Sequence, residues 1–391
     1  MSSAGGLQRR RVANASTHDD DGEPRGPNGA AASTTHTPTP SVSGSIHASS
    51  SHAGSAFEGG SKIAFDPRDL VNQDEEDAKQ GGKAPRLTIM EEVLLLGLKD
   101  KQGYLSFWND NISYALRGCI LIELALRRRI ALVKDPSRRS LPPSERVIEV
   151  IDTRLTGETI LDETLKMMKQ TEATGERMAI NTWIDLLSGE TWNVMKIGFQ
   201  LKQVRERLAK GLVDKGVLRT EKRNFILFDM ATHPVADVRT KEGIITRVTT
   251  LLTSTTAAVP PSALDKEGTQ ARAMRAVCLA AAAYAASVLD NAFGRLTYEE
   301  REAAFQRCED LIQEFATWPF GSASGASNGS SQRPNGRRAA SRIGMGGTAG
   351  GREAILGLVQ EVKKEMFSDE DLCFELVSGV LEVLSKLDSL L

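Results

Sequence analysis

The chain has 391 residues, 40% of them hydrophobic and 26% charged, with a formal net charge of -2. That length allows one large folded domain with extensions, and the near-neutral total excludes nucleic-acid or membrane binding through bulk charge, leaving only local patches to do it. The four cysteines, Cys119, Cys278, Cys308 and Cys373, have no paired spacing, which excludes a disulfide framework and a zinc knuckle. Of the histidines, His18, His36, His47 and His52 lie in a low-complexity segment and only His233 lies beyond it. A histidine-based triad or multi-histidine metal centre is therefore not expected. The sequence holds no phosphate loop, no zinc-protease motif and no nucleophile elbow. No cofactor and no metal are expected, and the reading is non-enzymatic, although chemistry by carboxylates alone stays open. The longest uncharged apolar run, residues 276–289, is shorter than the roughly 20 residues that cross a bilayer and reads as a buried helix. Arg9, Arg10 and Arg11 have no apolar segment behind them, so no secretory signal is expected. The protein is expected in the cytosol or on a membrane reached from the cytosol.

In chain order, residues 1 to about 85 are rich in Ser, Thr, Gly, Ala, His and Pro, with Phe57 and Phe65 as the only aromatics. Such a segment buries too little apolar area to offset chain entropy and is predicted to be disordered. Inside it, Leu7-Gln8-Arg9-Arg10-Arg11 is a basic cluster of the kind that docks on acidic surfaces, a pattern that also occurs without function. Thr88 with Glu91 has capping-box spacing ahead of Val93-Leu94-Leu95-Leu96 and predicts a helix start. The next helix carries Ile112, Leu116, Ile120 and Leu124 on one face. Trp108 stands at its start and Arg117 within it. An indole favours a boundary between apolar and wet surroundings, which fits a lipid headgroup region and a core rim equally.

A further helix is predicted over residues 193–215, with Ile197, Leu201, Val204, Leu208 and Leu212 as its core stripe. From Lys196 to Arg223 the chain has nine basic residues (Lys196, Lys202, Arg205, Arg207, Lys210, Lys215, Arg219, Lys222, Arg223) against Glu206, Asp214 and Glu221. On one helix, Lys202 and Arg205 share a face and can converge on one anion. A phosphomonoester suits an arginine fork beside a lysine point charge; a solvated polar face fits the same pattern. Beyond Gly216, the runs Val217-Leu218 and Phe225-Ile226-Leu227-Phe228 flank the polar residues 220–224 and predict a hairpin. Its second strand would be apolar on both faces, covered by the domain body, another subunit or lipid. Residues 271–293, 298–315 and 369–387 read as helices, the last with Leu372, Leu376, Val380 and Leu384 on one face. Residues from about 321 to 351 are mostly Ser, Gly, Ala, Asn and Arg, a predicted flexible insertion. The expected fold is mainly α: one globular helical domain from residue 86 to 391 around a helix-bundle core, with a protruding β-hairpin, a disordered N-terminal tail and that insertion.

Read as one string, these segments carry a resemblance. Leu87-Thr88-Ile89-Met90-Glu91-Glu92-Val93-Leu94-Leu95-Leu96-Gly97-Leu98-Lys99-Asp100, then Ser106-Phe107-Trp108-Asn109-Asp110 and Leu116-Arg117-Gly118-Cys119, closely resemble the Golgi phosphoprotein 3 family. So do Trp183-Ile184-Asp185-Leu186-Leu187-Ser188-Gly189-Glu190-Thr191-Trp192-Asn193, Val204-Arg205-Glu206-Arg207-Leu208-Ala209-Lys210 and Asn224-Phe225-Ile226-Leu227-Phe228-Asp229-Met230. The similarity runs over about residues 86–293 and fades beyond. It implies a peripheral Golgi adaptor that binds phosphatidylinositol 4-phosphate and links the cytosolic tails of glycosyltransferases to coatomer for retention and retrograde transport. The family's headgroup pocket falls on Trp108, Arg117, Lys202 and Arg205. Its hairpin of self-association and membrane contact falls on Glu221 to about Thr232, with Phe225, Ile226, Leu227 and Phe228 in it, so a homo-oligomer is expected. Its coatomer-binding arginines resemble Arg9, Arg10 and Arg11. No nucleic-acid partner is expected. The alternatives are a carboxylate enzyme acting on phosphate esters and a winged-helix-like nucleic-acid module.

Overall fold

The capping box at the first helix forms as its spacing predicts. Thr88 Oγ1 accepts from the Glu91 N–H, the Glu91 carboxylate accepts from the Thr88 N–H, and helix α1 (Ile89–Gly97) follows with every residue buried. The computed structural model describes residues 82–105, 111–225, 228–322 and 349–387, all within one compact unit, Ala64–Leu391. The predicted disordered tail therefore lies almost wholly outside the described residues, Arg9, Arg10 and Arg11 with it, as does most of the predicted insertion.

The described residues are mainly helical, with two small antiparallel β pairs. Helix α2 (Asn111–Leu126) runs through the centre, with Ile112, Leu116, Ile120 and Leu124 all fully buried. Strands β1 (Ile130–Leu132) and β2 (Ile148–Val150) pair with Ile130 opposite Val150. Helices α3 (Thr159–Ala173) and α4 (Ile180–Ser188) come next, then a 3₁₀ turn (Val194–Phe199) and α5 (Val204–Asp214). Strands β3 (Glu221–Phe225) and β4 (Phe228–Thr232) form the hairpin, followed by α6 (Val238–Thr253) and α7 (Arg272–Ala285). Helices α8 (Tyr298–Phe315), α9 (Ala349–Glu365) and α10 (Leu372–Ser385) complete the unit. Helix α10 packs along α2 and also meets α7 and β1. The apolar run predicted as a buried helix is α7 and its extension, and its alanines allow close packing among α2, α8 and α10. Among the described residues no helix is long and apolar enough to cross a membrane.

A charge sits at the middle of this core. Glu123, on the buried face of α2, accepts two hydrogen bonds from Arg275 of α7 (2.8 and 3.1 Å), one from Arg127 Nε (3.1 Å) and one from the Ile89 N–H at the start of α1 (2.7 Å). A buried carboxylate is tolerable only when its lone pairs are filled in this way. One side chain thereby ties α1, α2 and α7 together.

The structure corrects four expectations. Residues 193–215 are not one helix: the chain leaves the 3₁₀ turn at Phe199, and Gln203 takes a left-handed conformation (φ 53°) before α5 begins. Ile197 falls outside the core stripe, half exposed, while Leu201, Val204, Leu208 and Leu212 are buried. Residues 271–293 are likewise broken, because α7 ends at Ala285, Ser287 turns left-handed (φ 54°) and only a 3₁₀ turn, Leu289–Ala292, follows. The hairpin exists, but its polar residues form strand β3, and Phe225 pairs with Phe228 at its closed end. Val217 and Leu218 belong instead to the core at its foot, where both N–H groups donate to the Leu212 carbonyl and close the end of α5. Finally, α9 begins at Ala349, inside the predicted insertion, and packs closely enough that a Cβ at Gly357 would collide with the Ala257 carbonyl.

Candidate anion-binding site

Arg117 points from α2 toward the end of α4 and the start of α5. It is 8% exposed, and its guanidinium donates to carbonyls only: Nη1 to Ser113 O (2.7 Å), Nη2 to Leu201 O (2.9 Å) and Nε to Leu187 O (3.4 Å). Buried arginines are normally matched by a carboxylate. Here burial, and then the neighbouring Arg205 guanidinium, lower its pKa to about 10. It stays a cation at neutral pH, held beside a second cation at a cost. An anion would relieve that repulsion.

Arg205 is the second residue of α5 and half-buried, while Lys202 stands exposed in the preceding turn. The two do not leave one helical face as the spacing predicted, yet they flank the same feature. The N-terminus of α5 carries no side-chain cap, because Gln203 in its left-handed conformation makes none. Uncapped N–H groups at a helix start favour an anion, and two cations frame them here.

Of the nine cations counted between Lys196 and Arg223, the structure ties several to carboxylates. Lys196 pairs with Glu176, Arg207 with Glu163 (2.5 Å), and Lys215 with both Glu91 (2.8 Å) and Glu158 (2.7 Å). Arg219 pairs with Glu221 (2.7 Å), with Arg223 farther off at 3.9 Å. Among the described residues, Arg117, Lys202 and Arg205 have no carboxylate within ion-pair distance, and neither does Lys222 on the hairpin.

Trp108, Ile226 and Leu227 lie outside the described residues. The backbone of Phe225 and Phe228 is placed by the strand pairing, but their side chains are outside the description. Glu221 pairs across the hairpin with Thr232 and accepts from Arg219. His233 is half-buried, its N–H donates to Gly103 O (2.8 Å), and burial lowers its pKa. All four cysteines are buried free thiols, and no group of metal-ligating side chains assembles among the described residues.

Two features of this region were not anticipated from sequence. Tyr114, one turn before Arg117, donates to Asp185 of α4 (2.7 Å) and braces α2 against α4. The connection from α4 to α5 also exposes Trp192, Val194 and Met195 beside the half-exposed Ile197. Only the surroundings of those side chains separate them from core residues of the same type.

The family described as Golgi phosphoprotein 3 (GPP34) matches residues 89–328. A curated relative named vacuolar protein sorting-associated protein 74, from Schizosaccharomyces pombe, is 47% identical over 388 residues, 99% of this chain and 100% of that protein. A protein of the same name from Eremothecium gossypii is 47% identical over 330 residues, 84% of this chain and 90% of that one.

Proposed function

The chain belongs to the Golgi phosphoprotein 3 family, and on that premise we propose that it is a non-enzymatic peripheral adaptor that reads phosphatidylinositol 4-phosphate on the cytosolic face of the Golgi. A Golgi-associated role comes with the family. The finer reading is carried by one observation: Arg117, Lys202 and Arg205 gather at the uncapped start of α5 with no carboxylate within ion-pair distance among the described residues. A 4-phosphate that is mostly dianionic at neutral pH supplies the missing charge, the Arg205 fork and the α5 N–H groups supply direction, and Trp108 takes the lipid boundary.

Each basic residue near a membrane surface contributes about 1 kcal/mol. The pocket alone therefore gives a reversible attachment, and lasting residence needs further contacts, from the hairpin at Phe225, Ile226, Leu227 and Phe228 and from self-association into a homo-oligomer. In this reading Arg9, Arg10 and Arg11 engage coatomer while another surface holds glycosyltransferase tails, so that the tail-bearing enzymes return by retrograde transport. The protein then exchanges between membrane and cytosol.

Co-sedimentation with phosphatidylcholine vesicles containing phosphatidylinositol 4-phosphate tests the pocket. Lys202→Ala with Arg205→Ala removes about 2 kcal/mol of contact, expected to weaken binding about thirtyfold. A folded double variant that pellets like the parent protein would overturn the reading.

A further inference from the structure

The connection between α4 and α5 leaves the protein body with apolar side chains facing outward. Trp192 is 104% exposed, Met195 88%, Val194 77% and Ile197 49%. Soluble surfaces rarely group large apolar side chains in this way without a partner. The segment is nevertheless built. Gly189 ends α4 in a left-handed turn (φ 87°) where a Cβ would strike the Gln200 side chain. Asn193 accepts from the Met195 N–H (3.0 Å) and opens the 3₁₀ turn, and Phe199 packs edge-on against the buried Trp183 ring (5.8 Å). Lys196 turns back to Glu176, which leaves the tip apolar.

The two stems of this loop are pinned together beside the anion site. The Leu201 N–H donates to Leu187 O (3.1 Å), and Arg117 donates to the carbonyls of those same two residues. The arginine of the anion site is thus also the clamp that fixes the loop's base. With Lys196 held by Glu176, Lys202 and Arg205 are the cations between Thr191 and Arg205 left without a carboxylate at ion-pair distance among the described residues, which suits an anionic lipid surface and not a basic protein partner.

We infer that residues 192–197 form a membrane-inserting wedge, seated at the boundary between headgroups and acyl chains while Lys202 and Arg205 engage phosphate beside it. This deepens the headgroup reading and rests on it. Tryptophan is favoured at that boundary, where its ring is apolar and its N–H remains near water. The wedge supplies apolar area that the three cations lack.

The test uses the full chain carrying Trp192→Ser with Met195→Ser, and separately Trp192→Phe. On phosphatidylcholine vesicles with phosphatidylinositol 4-phosphate, the serine variant is expected to partition at least about tenfold more weakly. It should bind the soluble headgroup glycerophosphoinositol 4-phosphate as the parent does. Brominated phosphatidylcholine should quench the tryptophan emission of the parent more than that of Trp192→Phe. Unchanged vesicle partition, equal quenching, or loss of soluble-headgroup binding would each overturn the wedge. So would a drop in solution mass by light scattering, which would make the patch a contact between copies of this chain. If Lys202→Ala/Arg205→Ala binds these vesicles normally while the quenching difference persists, the headgroup reading fails and the wedge does not.

Discussion

Arg117 and Glu123 are less than two helical turns apart on α2, both buried, and the environment treats them oppositely. Glu123 is filled by two guanidinium groups and an N–H, whereas Arg117 has only carbonyls and a neighbouring cation. The first is a structural hub and the second a site with charge still to be satisfied. Burial alone would raise the Glu123 pKa, but Arg275 and Arg127 overcome it and hold the carboxyl at about 2. A carboxylate whose folded pKa is depressed adds stability that is present above its unfolded pKa and is lost as pH falls. For Glu123 the window runs from the ordinary value of 4.5 down to about 2. Glu123→Gln leaves Arg275 buried without its partner and should cost about 3–5 kcal/mol in chemical denaturation at neutral pH. Its stability should also fall less steeply than the parent's between those two pH values; parallel curves would show that Glu123 is not the group responsible.

Among the elements, the hairpin is the one whose proposed role is most readily separated from the fold. Among the described residues its strands pair only with each other, and a lone two-stranded ribbon is marginal in water. Here it is anchored at its foot, where Thr232 is buried, Leu218 bridges Val235 and the His233 N–H reaches Gly103 O. The strand pairing closes at Phe225 and Phe228, and the proposal assigns the apolar run 225–228 to another copy or to lipid. Removing residues 222–228 should leave the melting of the helical body within a few degrees of the parent while lowering the solution mass by light scattering. An unchanged mass would assign the hairpin to other work. The helix before the hairpin weighs against the winged-helix alternative. A nucleic-acid reader needs a long free basic face on the preceding helix, and here Arg207, with Lys215 just past the end of α5, is committed to carboxylates.

At the scale of the whole molecule, a net charge of -2 gives no general attraction to anionic membranes, so the proposed membrane binding would rest on one small cationic site and on apolar insertion. Such binding must follow the charge of the ligand. Arg117 stays protonated until about 10, so no change at that residue accompanies mildly acidic titration. The phosphate gains its second charge near pH 6. Vesicle binding is therefore expected to strengthen several-fold from about pH 5 to about pH 7.5, and Lys202→Ala/Arg205→Ala should flatten that rise. A parent protein whose binding weakens over the same interval would contradict phosphate recognition. Raised salt should reduce the cationic contribution and spare the apolar one.

The primary structure by itself determined the helical class, the Thr88–Glu91 start, the buried stripe of α2, the span of α8 and the family, since capping and hydrophobic period are local and the family strings are long. It also offered Arg117, Lys202 and Arg205 as candidates, and only the resemblance joined them into one pocket, because charge counting could not separate them from a solvated polar face. The tertiary structure decided which cations are neutralised: Glu91, Glu158, Glu163 and Glu176 reach Lys215, Arg207 and Lys196 from distant stretches of chain. It likewise set the hairpin register and turned Trp192, Val194 and Met195 outward, where an apolar pattern alone reads as core. Periodicity records which residues prefer company; packing of segments far apart in the chain decides which of them receive it.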